Sequence, residues 1–372
     1  MILGKKIRIK PTNDQEKQLW KSAGVARWAY NWTLGRQNEN HKNKEKFIPD
    51  SVLRKELTAL KQTEEYAWLY EVSNNITKQA IKDACEAYKK FFKKQTCKPR
   101  FKSRKLSKPS FYNDNGKLKV KNGKILIEKI GWIQTSEQLP MEIKYFNPRI
   151  GFDGKYWYIS VGIEESHQLT VLSNISLGID VGIKELAVCS DGEKKKNINK
   201  SQSVRKAEKR LRMLQRKVSR KYQMNKEGNR FVKTSNIIKI EKKIRHLHRR
   251  LSNIRKNHLH QVTCDIVKNK PYRIVMESLD IREMMKNKHL SKAISNQRLY
   301  EFKRQIQYKC EKYGIEFVEA DRWFPSSKMC SCCGSIKKNL RLSDRVYQCD
   351  CGLILDRDFN ASINLSRYEL VD

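Results

Sequence analysis

Charged and apolar residues alternate at the start of the chain. Ile7 and Ile9 stand between cations, and residues 2–10 read as a strand ending at Pro11. The period then changes. Thr12 and Gln15 have the spacing of a capping box, and the helix they open carries Leu19, Trp20, Val25, Trp28, Ala29 and Trp32. A second helical stretch is predicted over 51–61. A third spans 75–94, where Ile76, Ala80, Ile81, Ala84, Tyr88 and Phe92 recur at helical spacing and read as core. Lys78, Gln79, Lys82 and Lys89 are left for another face.

From Lys98 the texture shifts. KPRFKSRKLSKPSFYNDNG has no helical period and interleaves cations with Phe101, Phe111 and Tyr112. Readers of single strands and phosphate backbones have this pattern, and so do solvated linkers. Short strands follow over 117–120, 124–127, 143–151 and 155–163, with Asp153–Gly154 as a hairpin turn between the last two. Strands this short and close predict a small barrel or sandwich, which the first strand joins with the helices inserted between.

Residues 175–192 read as two strands, ISLGID and KELAVC. Beyond them Ile237, Ile240, Ile244, Leu247, Leu251, Ile254 and His258 repeat at steps of three and four. They form one seam of an antiparallel helical hairpin, facing Leu211, Leu214 and Val218. YRIVMES is a buried strand ending in Glu277, a helix is predicted over 293–313, and the strand IEFVEA follows. Strands and helices in this order give a mixed α/β layout.

Charge changes the picture most. Among 372 residues, 79 Lys and Arg face 40 Asp and Glu, a formal charge of +39. So large an excess repels itself unless a polyanion is present, and nucleic acid is the expected partner. A membrane is not expected, since no apolar run approaches the roughly 20 residues that span a bilayer. The N-terminus lacks the apolar core of a secretory signal, so the chain is expected in the cytoplasm or nucleoid with reduced thiols. Ten cysteines then point to metal before disulfides.

Cys330 and Cys333 form a C-x-x-C knuckle, and Cys349 and Cys351 a tighter C-x-C. Gly334 and Gly352 follow the pairs, where a turn lets amides face sulfur. Two knuckles across a short hairpin are the donor set of a structural Zn²⁺ ribbon. Cys332 is a spare that leaves the pairing within the first knuckle open. The four histidines His246, His248, His258 and His260 lack an accompanying carboxylate or cysteine at ligand spacing and read as non-ligands.

Three acids stand where apolar strands end or a helix begins: Asp180 after SLGI, Glu277 after RIVM, and Asp358 in LILDRDFNASIN. Carboxylates placed in an α/β core are costly without a cation, and two Mg²⁺ ions would supply it. Asp358 is preferred to Asp356 because it starts the last helix, while Asp356 and Arg357 read as the preceding turn.

These residues carry a likeness. GIDVGIKELAVCSDG, IVMESL, WFPSSKMCSCCG and CDCGLILDRDFNASINL resemble the TnpB nucleases encoded by transposons, compact relatives of type V CRISPR effectors. YNWTL, WLYEV, AYKKFF and PRFK extend the resemblance over nearly the whole chain. It implies a multidomain α/β fold: a wedge-like β-barrel (1–10 plus 98–170), an inserted helical recognition lobe (11–97), a RuvC or RNase H-like nuclease domain (171–326 plus 353–372) and a zinc ribbon (327–352). It implies a catalytic, Mg²⁺-binding triad of Asp180, Glu277 and Asp358, and zinc ligands at Cys330, Cys333, Cys349 and Cys351. It further implies a guide RNA from the transposon end, a double-stranded DNA target beside a short flanking motif, and one monomer per ribonucleoprotein. Contacts to that motif are expected from Lys78, Gln79, Lys82, Ser110 and Tyr112. The C-x-C second knuckle departs from the C-x-x-C of many members, which bears on the fourth zinc ligand. Two other functions fit the same fold, a DNA-strand-transfer transposase and a non-catalytic DNA-binding regulator; three intact acids argue against the second.

Overall fold

The computed structural model describes residues 1–166, 170–341 and 344–369. Residues 167–169, 342–343 and 370–372, which the expected barrel, ribbon and nuclease segments include, lie outside the described residues. The chain divides into two compact units, Met1–Glu165 and Ser166–Asp372.

In the first unit, strand β1 (Ile2–Lys10) precedes helices α1 (Asn13–Lys42), α2 (Asp50–Leu60) and α3 (Asn74–Phe92). Strands β2 (Ser110–Tyr112), β3 (Lys119–Lys121), β4 (Lys124–Ile127), β5 (Gly131–Thr135), β6 (Tyr145–Phe152) and β7 (Trp157–Glu164) follow. All seven join one sheet in the order β2-β6-β7-β1-β5-β4-β3. Strand β1 runs antiparallel to β7 from Ile2↔Glu164 to Ile9↔Trp157, so the helices are inserted between partners of one sheet. The alternation read from the sequence is the reason: Ile7 and Ile9 point inward and are almost fully buried with Ile125, Ile133 and Ile159. The capping box forms as expected, with the Thr12 hydroxyl accepting from the Gln15 amide and the Gln15 side chain accepting from the Thr12 amide. At the hairpin turn Gly154 has φ +98°, and the Asp153 carboxylate accepts from the amides of Lys155 and Tyr156.

Small residues let α1 and α3 approach: Ala29, Ala80 and Ala84 pack with Tyr30, Leu34 and Tyr88. Two aromatics on the apolar stripes of these helices are not buried. Trp20 is 40 % exposed and lies against Phe152 and Trp157, while Phe92, 47 % exposed, meets Phe47 edge-on. Each sits at the rim of its element, where one face of a ring packs and the other meets water. Strands β2 and β5 add to the four short strands expected after Lys98.

The second unit begins with β8 (Ser173–Val181), β9 (Ala187–Cys189) and β10 (Lys194–Lys195). Helices α4 (Gln202–Met224) and α5 (Ser235–Ile266) form the expected hairpin, closed at its tip by β11 (Lys226–Glu227) and β12 (Arg230–Phe231). Val204, Ala207 and Leu211 meet Leu247 and Leu251 along the seam, and Arg255 donates to Glu208 at 2.6 Å. Then come β13 (Pro271–Glu277), α6 (Ile281–Lys286), α7 (Ser291–Gln297), α8 (Leu299–Tyr313) and β14 (Glu316–Ala320). Strands β15 (Val346–Gln348) and β16 (Ile354–Asp356) and helix α9 (Arg357–Ser366) close the chain. The main sheet has the order β10-β9-β8-β13-β14. Strand β13 is parallel to β8 and β14, whereas β9 is antiparallel to β8.

The single helix predicted over 293–313 is broken. Arg298 adopts φ +57°, ends α7 through its amide and Ile294 O, and opens α8. Its guanidinium donates to Ser252 Oγ at 3.0 Å, and buried Gln297 donates to Gly182 O at 3.0 Å. Tertiary bonds hold a left-handed residue where no glycine marked one. Among the described residues, no helix is long and apolar enough to cross a membrane.

Candidate active site and thiolate cluster

Parallel pairing aligns the first two acids. The β8–β13 register runs Ile274↔Leu177, Val275↔Gly178, Met276↔Ile179. Asp180 and Glu277 are the next residue on each strand, so both stand at one level near the carboxyl ends, where α/β sheets hold ligands. Helix α9 brings the third. It lies so close over β8 that a Cβ on Gly178 would stand 2.0 Å from Ser362 O and 2.4 Å from Ser366 N. Ser176 Oγ donates to Ser366 O at 2.7 Å across the same contact. Asp358 is one turn before Ser362, at the end of α9 that reaches the mouth of the sheet.

The electrostatics register this convergence. Burial, and then the charges of Asp358 and Glu277, push the Asp180 carboxyl well above the usual carboxylate range, with Arg357 opposing. Burial also raises Glu277. Among the described residues no donor hydrogen-bonds to either carboxylate. Anions gathered without donors are costly unless a cation joins them. Three hard oxygen ligands fit Mg²⁺ by their chemistry.

Asp356 does something else. It is the N-cap of α9, accepting from the amides of Asp358 at 3.0 Å and Phe359 at 3.2 Å, and it pairs with Lys194 at 3.2 Å. Burial works against its charge, yet Lys194 and those amides hold its carboxyl below the usual range. Arg357, expected in the preceding turn, is the first residue of the helix, and its Nε stands 3.7 Å from Asp358.

The thiols of Cys330, Cys333, Cys349 and Cys351 gather with their sulfurs all within 4.8 Å of one another. Cys330 and Cys351 are 3.6 Å apart, as are Cys333 and Cys349. A Zn–S bond of about 2.3 Å places tetrahedral sulfurs about 3.8 Å apart, so the donor set fits zinc. Gly334 and Gly352 have φ +75° and +90°, and their amides donate back to Cys330 O and Cys349 O, closing each knuckle. Hydrogen bonds from Ser335 pull the Cys333 thiol down to about 6. Cys332 is exposed and outside the cluster.

Sequence reasoning missed two asparagines. Asn360 and Asn364 lie one turn apart on α9 and are fully buried. Both donate to Met329 O at 2.7 Å, Asn364 also to Ser326 O at 2.8 Å, and Asn360 accepts from the Ser331 amide at 3.0 Å. They tie the first knuckle to the helix that carries Asp358. The available signal was two amides four residues apart among apolar residues in DFNASINL.

In the first unit, Gln79, Ser110 and Tyr112 line one pocket together with Arg27, Lys102, Lys108 and Arg149. Lys78 and Lys82 are exposed on α3 and do not line it. Asp83, unmarked by any sequence motif, organises the pocket: it accepts from Gln79 at 2.9 Å and from both Arg149 amino groups at 2.6 and 2.9 Å. Asn31 pins the basic segment to α1, donating to Lys102 O at 2.8 Å and accepting from its amide at 2.7 Å.

Comparison with known proteins finds three family descriptions along the chain. "Helix-turn-helix domain" matches residues 1–46, "Probable transposase" 158–288, and "Cas12f1-like, TNB domain" 300–365. The first span here holds a strand and one long helix, β1 and α1. A Streptomyces pristinaespiralis protein named "Putative RNA-guided DNA endonuclease" is 33 % identical over 97 % of this chain and 87 % of its own length. An Escherichia coli K12 protein named "Putative RNA-guided DNA endonuclease InsQ" is 32 % identical over 97 % and 90 %. Among solved structures, a Cas12f1 protein in complex with sgRNA and target DNA superposes with a TM-score of 0.59 at 18 % identity, covering 94 % of this chain and 82 % of that one.

Proposed function

This chain belongs to the TnpB family of transposon-encoded, RNA-guided nucleases, and from that membership we propose that it cuts double-stranded DNA chosen by a bound guide RNA, beside a short flanking motif. One observation carries the chemical part: in a chain of charge +39, Asp180, Glu277 and Asp358 converge at the carboxyl end of a sheet, and among the described residues no hydrogen-bond donor meets the first two. The strand order, with β8, β13 and β14 parallel and β9 antiparallel to both its neighbours β8 and β10, supports a RuvC or RNase H-like domain over 171–326 and 353–372. The zinc ribbon is then 327–352, and strands from 1–10 and 98–170 form the wedge around a helical recognition lobe at 11–97. One protein copy per ribonucleoprotein completes the reading.

Two Mg²⁺ ions, when bound, activate a water and stabilise the leaving oxygen of a phosphodiester. Asp180, central among the acids, would hold both ions, and Glu277 and Asp358 one each. Asp356 keeps α9 capped so that Asp358, in its first turn, faces the strand ends. The pocket of Gln79, Ser110, Tyr112 and Arg149 is proposed to read the flanking motif, with Lys78 and Lys82 adding charge beside it.

The purified chain should carry a structured RNA, and binding should weaken steeply with salt because each neutralised phosphate releases counterions. Cleavage of DNA should require that RNA and follow its sequence; RNA-free protein that cuts at full rate would favour the strand-transfer reading. In the same assay Gln79→Ala should weaken binding of motif-bearing DNA while guide RNA affinity holds, and an equal loss of both would remove Gln79 from motif reading.

The thiolate cluster should hold one Zn²⁺ per chain. Cys333→Ser is expected to abolish stoichiometric zinc, measured by metal analysis. Cleavage should fall with it, since Asn360 and Asn364 couple the knuckle to α9. A variant that keeps stoichiometric zinc removes Cys333 from the ligand set.

A further inference from the structure

The turn that leaves β14 carries a side chain with no part in the site described above. β14 ends at Ala320, which pairs with Glu277, and the chain continues through Asp321, Arg322, Trp323 and Phe324. This turn is closely fixed. The Asp321 amide donates to Tyr368 Oη at 3.2 Å, the Trp323 amide to the Asp321 carboxylate at 2.7 Å, and the Phe324 amide to Asp321 O at 3.1 Å. Phe324 turns inward, its ring 4.9 Å from Tyr368 and packed with Val275, Val318 and Leu365. Trp323 beside it is left 82 % exposed, about twice as open as Trp20, Trp68 or Trp132. The Arg322 guanidinium lies 5.6 Å from the indole centre and 3.7 Å from the Asp280 carboxylate.

An indole held in water by a rigid turn forgoes the burial that normally makes tryptophan stabilising. Its position gives the reason: three residues past the strand partner of Glu277, with a cation against its ring. We propose that Trp323 is a stacking platform for a nucleobase of the single DNA strand that enters the active site, with Arg322 contributing the adjacent positive charge. This rests on the reading of Asp180, Glu277 and Asp358 as the nuclease centre. A strand that presents its backbone to those carboxylates must have its bases unstacked, and an aromatic face beside an arginine accepts any base without reading its identity.

The test separates the platform from the chemistry. The full chain with its guide RNA, made cleavage-silent by Asp180→Ala, is mixed with a single-stranded DNA oligonucleotide carrying the fluorescent base 2-aminopurine. Stacking on the indole quenches that base. Trp323→Ala should remove the quench and weaken affinity by about 5- to 150-fold, the equivalent of roughly 1–3 kcal/mol of stacking. Trp323→Phe should keep most of both. In the cutting-competent chain the alanine variant should raise KM for DNA far more than it lowers kcat. Unchanged affinity and quench in Trp323→Ala overturn the proposal. A parallel loss of guide RNA affinity overturns it too, by assigning the ring to RNA. A lowered Tm in both variants would make the residue structural. Normal quenching by a protein that never cuts would leave the platform standing and remove the nuclease reading instead.

Discussion

Asp180→Ala is expected to abolish DNA cleavage, by about a thousandfold or more, the range in which removal of a central catalytic group falls. Guide RNA and target DNA should bind nearly as before, since losing one carboxylate from a chain of charge +39 does not weaken its attraction for phosphate. The size of the effect follows from position. Asp180 feels the charges of both Glu277 and Asp358, and on the proposed reading it is the acid that would serve two metal ions at once. The same crowding predicts an opposite effect on stability. Held with a chelator, the protein must fold with ionised acids facing each other, and the raised Asp180 carboxyl means that this cost grows as pH rises above the unfolded value of about 3.8. Asp180→Asn should therefore raise Tm in chelator at neutral pH while eliminating cleavage. Asp356 and Asp358 supply the internal comparison. Asp356→Ala removes a helix cap, about 1 kcal/mol of stability, and should lower Tm while sparing much of the activity. Asp358→Ala should do the reverse. If the two exchange places, Asp356 is the metal ligand; if Asp180→Ala cuts normally, the nuclease centre lies elsewhere.

How much of this was legible in the sequence depends on how local its cause is. The capping box at Thr12, the Asp153–Gly154 turn and the glycines after each cysteine pair are set by a few neighbouring residues, and each forms as read. The helical hairpin was legible because its seam repeats over many turns. The break at Arg298 was not, because a serine hydroxyl from α5 and a buried glutamine bond to the β8–β9 loop hold it, both distant in sequence. The same distinction applies to the sites. The acids and cysteines announce themselves by residue type at strand ends and knuckles. Asn360, Asn364 and Asp83 have roles that exist only once backbone carbonyls or an arginine from elsewhere in the chain are placed beside them. Lys78 and Lys82 are exposed on α3, as their spacing predicted, and the pocket opens beside them along Gln79 and Asp83.

Gly178→Ala is the sharpest test of the packing that brings these parts together. The added methyl would lie 2.0 Å from Ser362 O, 2.4 Å from Ser366 N and 3.0 Å from Leu365 C. All three are backbone atoms of α9, so no side-chain rotation relieves the clash and the helix itself must move. Leu365, fully buried against Val275, Val318 and Ala320, moves with it. Overpacking of this kind typically costs about 1–3 kcal/mol, and Tm should drop accordingly. The loss of activity should exceed the loss of stability, because α9 carries Asp358 at one end and, through Asn360 and Asn364, the thiolate knuckle along its side. A misplacement of about 1 Å is enough to slow a reaction roughly a hundredfold. Cleavage by Gly178→Ala should therefore fall by about that factor even well below its melting temperature, with guide RNA still bound. Gly162→Ala is the matched control in the first unit. There the new methyl would meet Ile2 Cγ2 at 2.9 Å, Phe146 Cβ at 3.1 Å and Phe146 O at 3.3 Å, all looser than the two tightest backbone contacts at Gly178, and a rotation of the exposed Ile2 about χ1 relieves the tightest of them. Its effect should be confined to a modest loss of stability. Wild-type cleavage by Gly178→Ala would mean that α9 does not rest on β8 as described, and the convergence of Asp358 with Asp180 and Glu277 would fall with that contact.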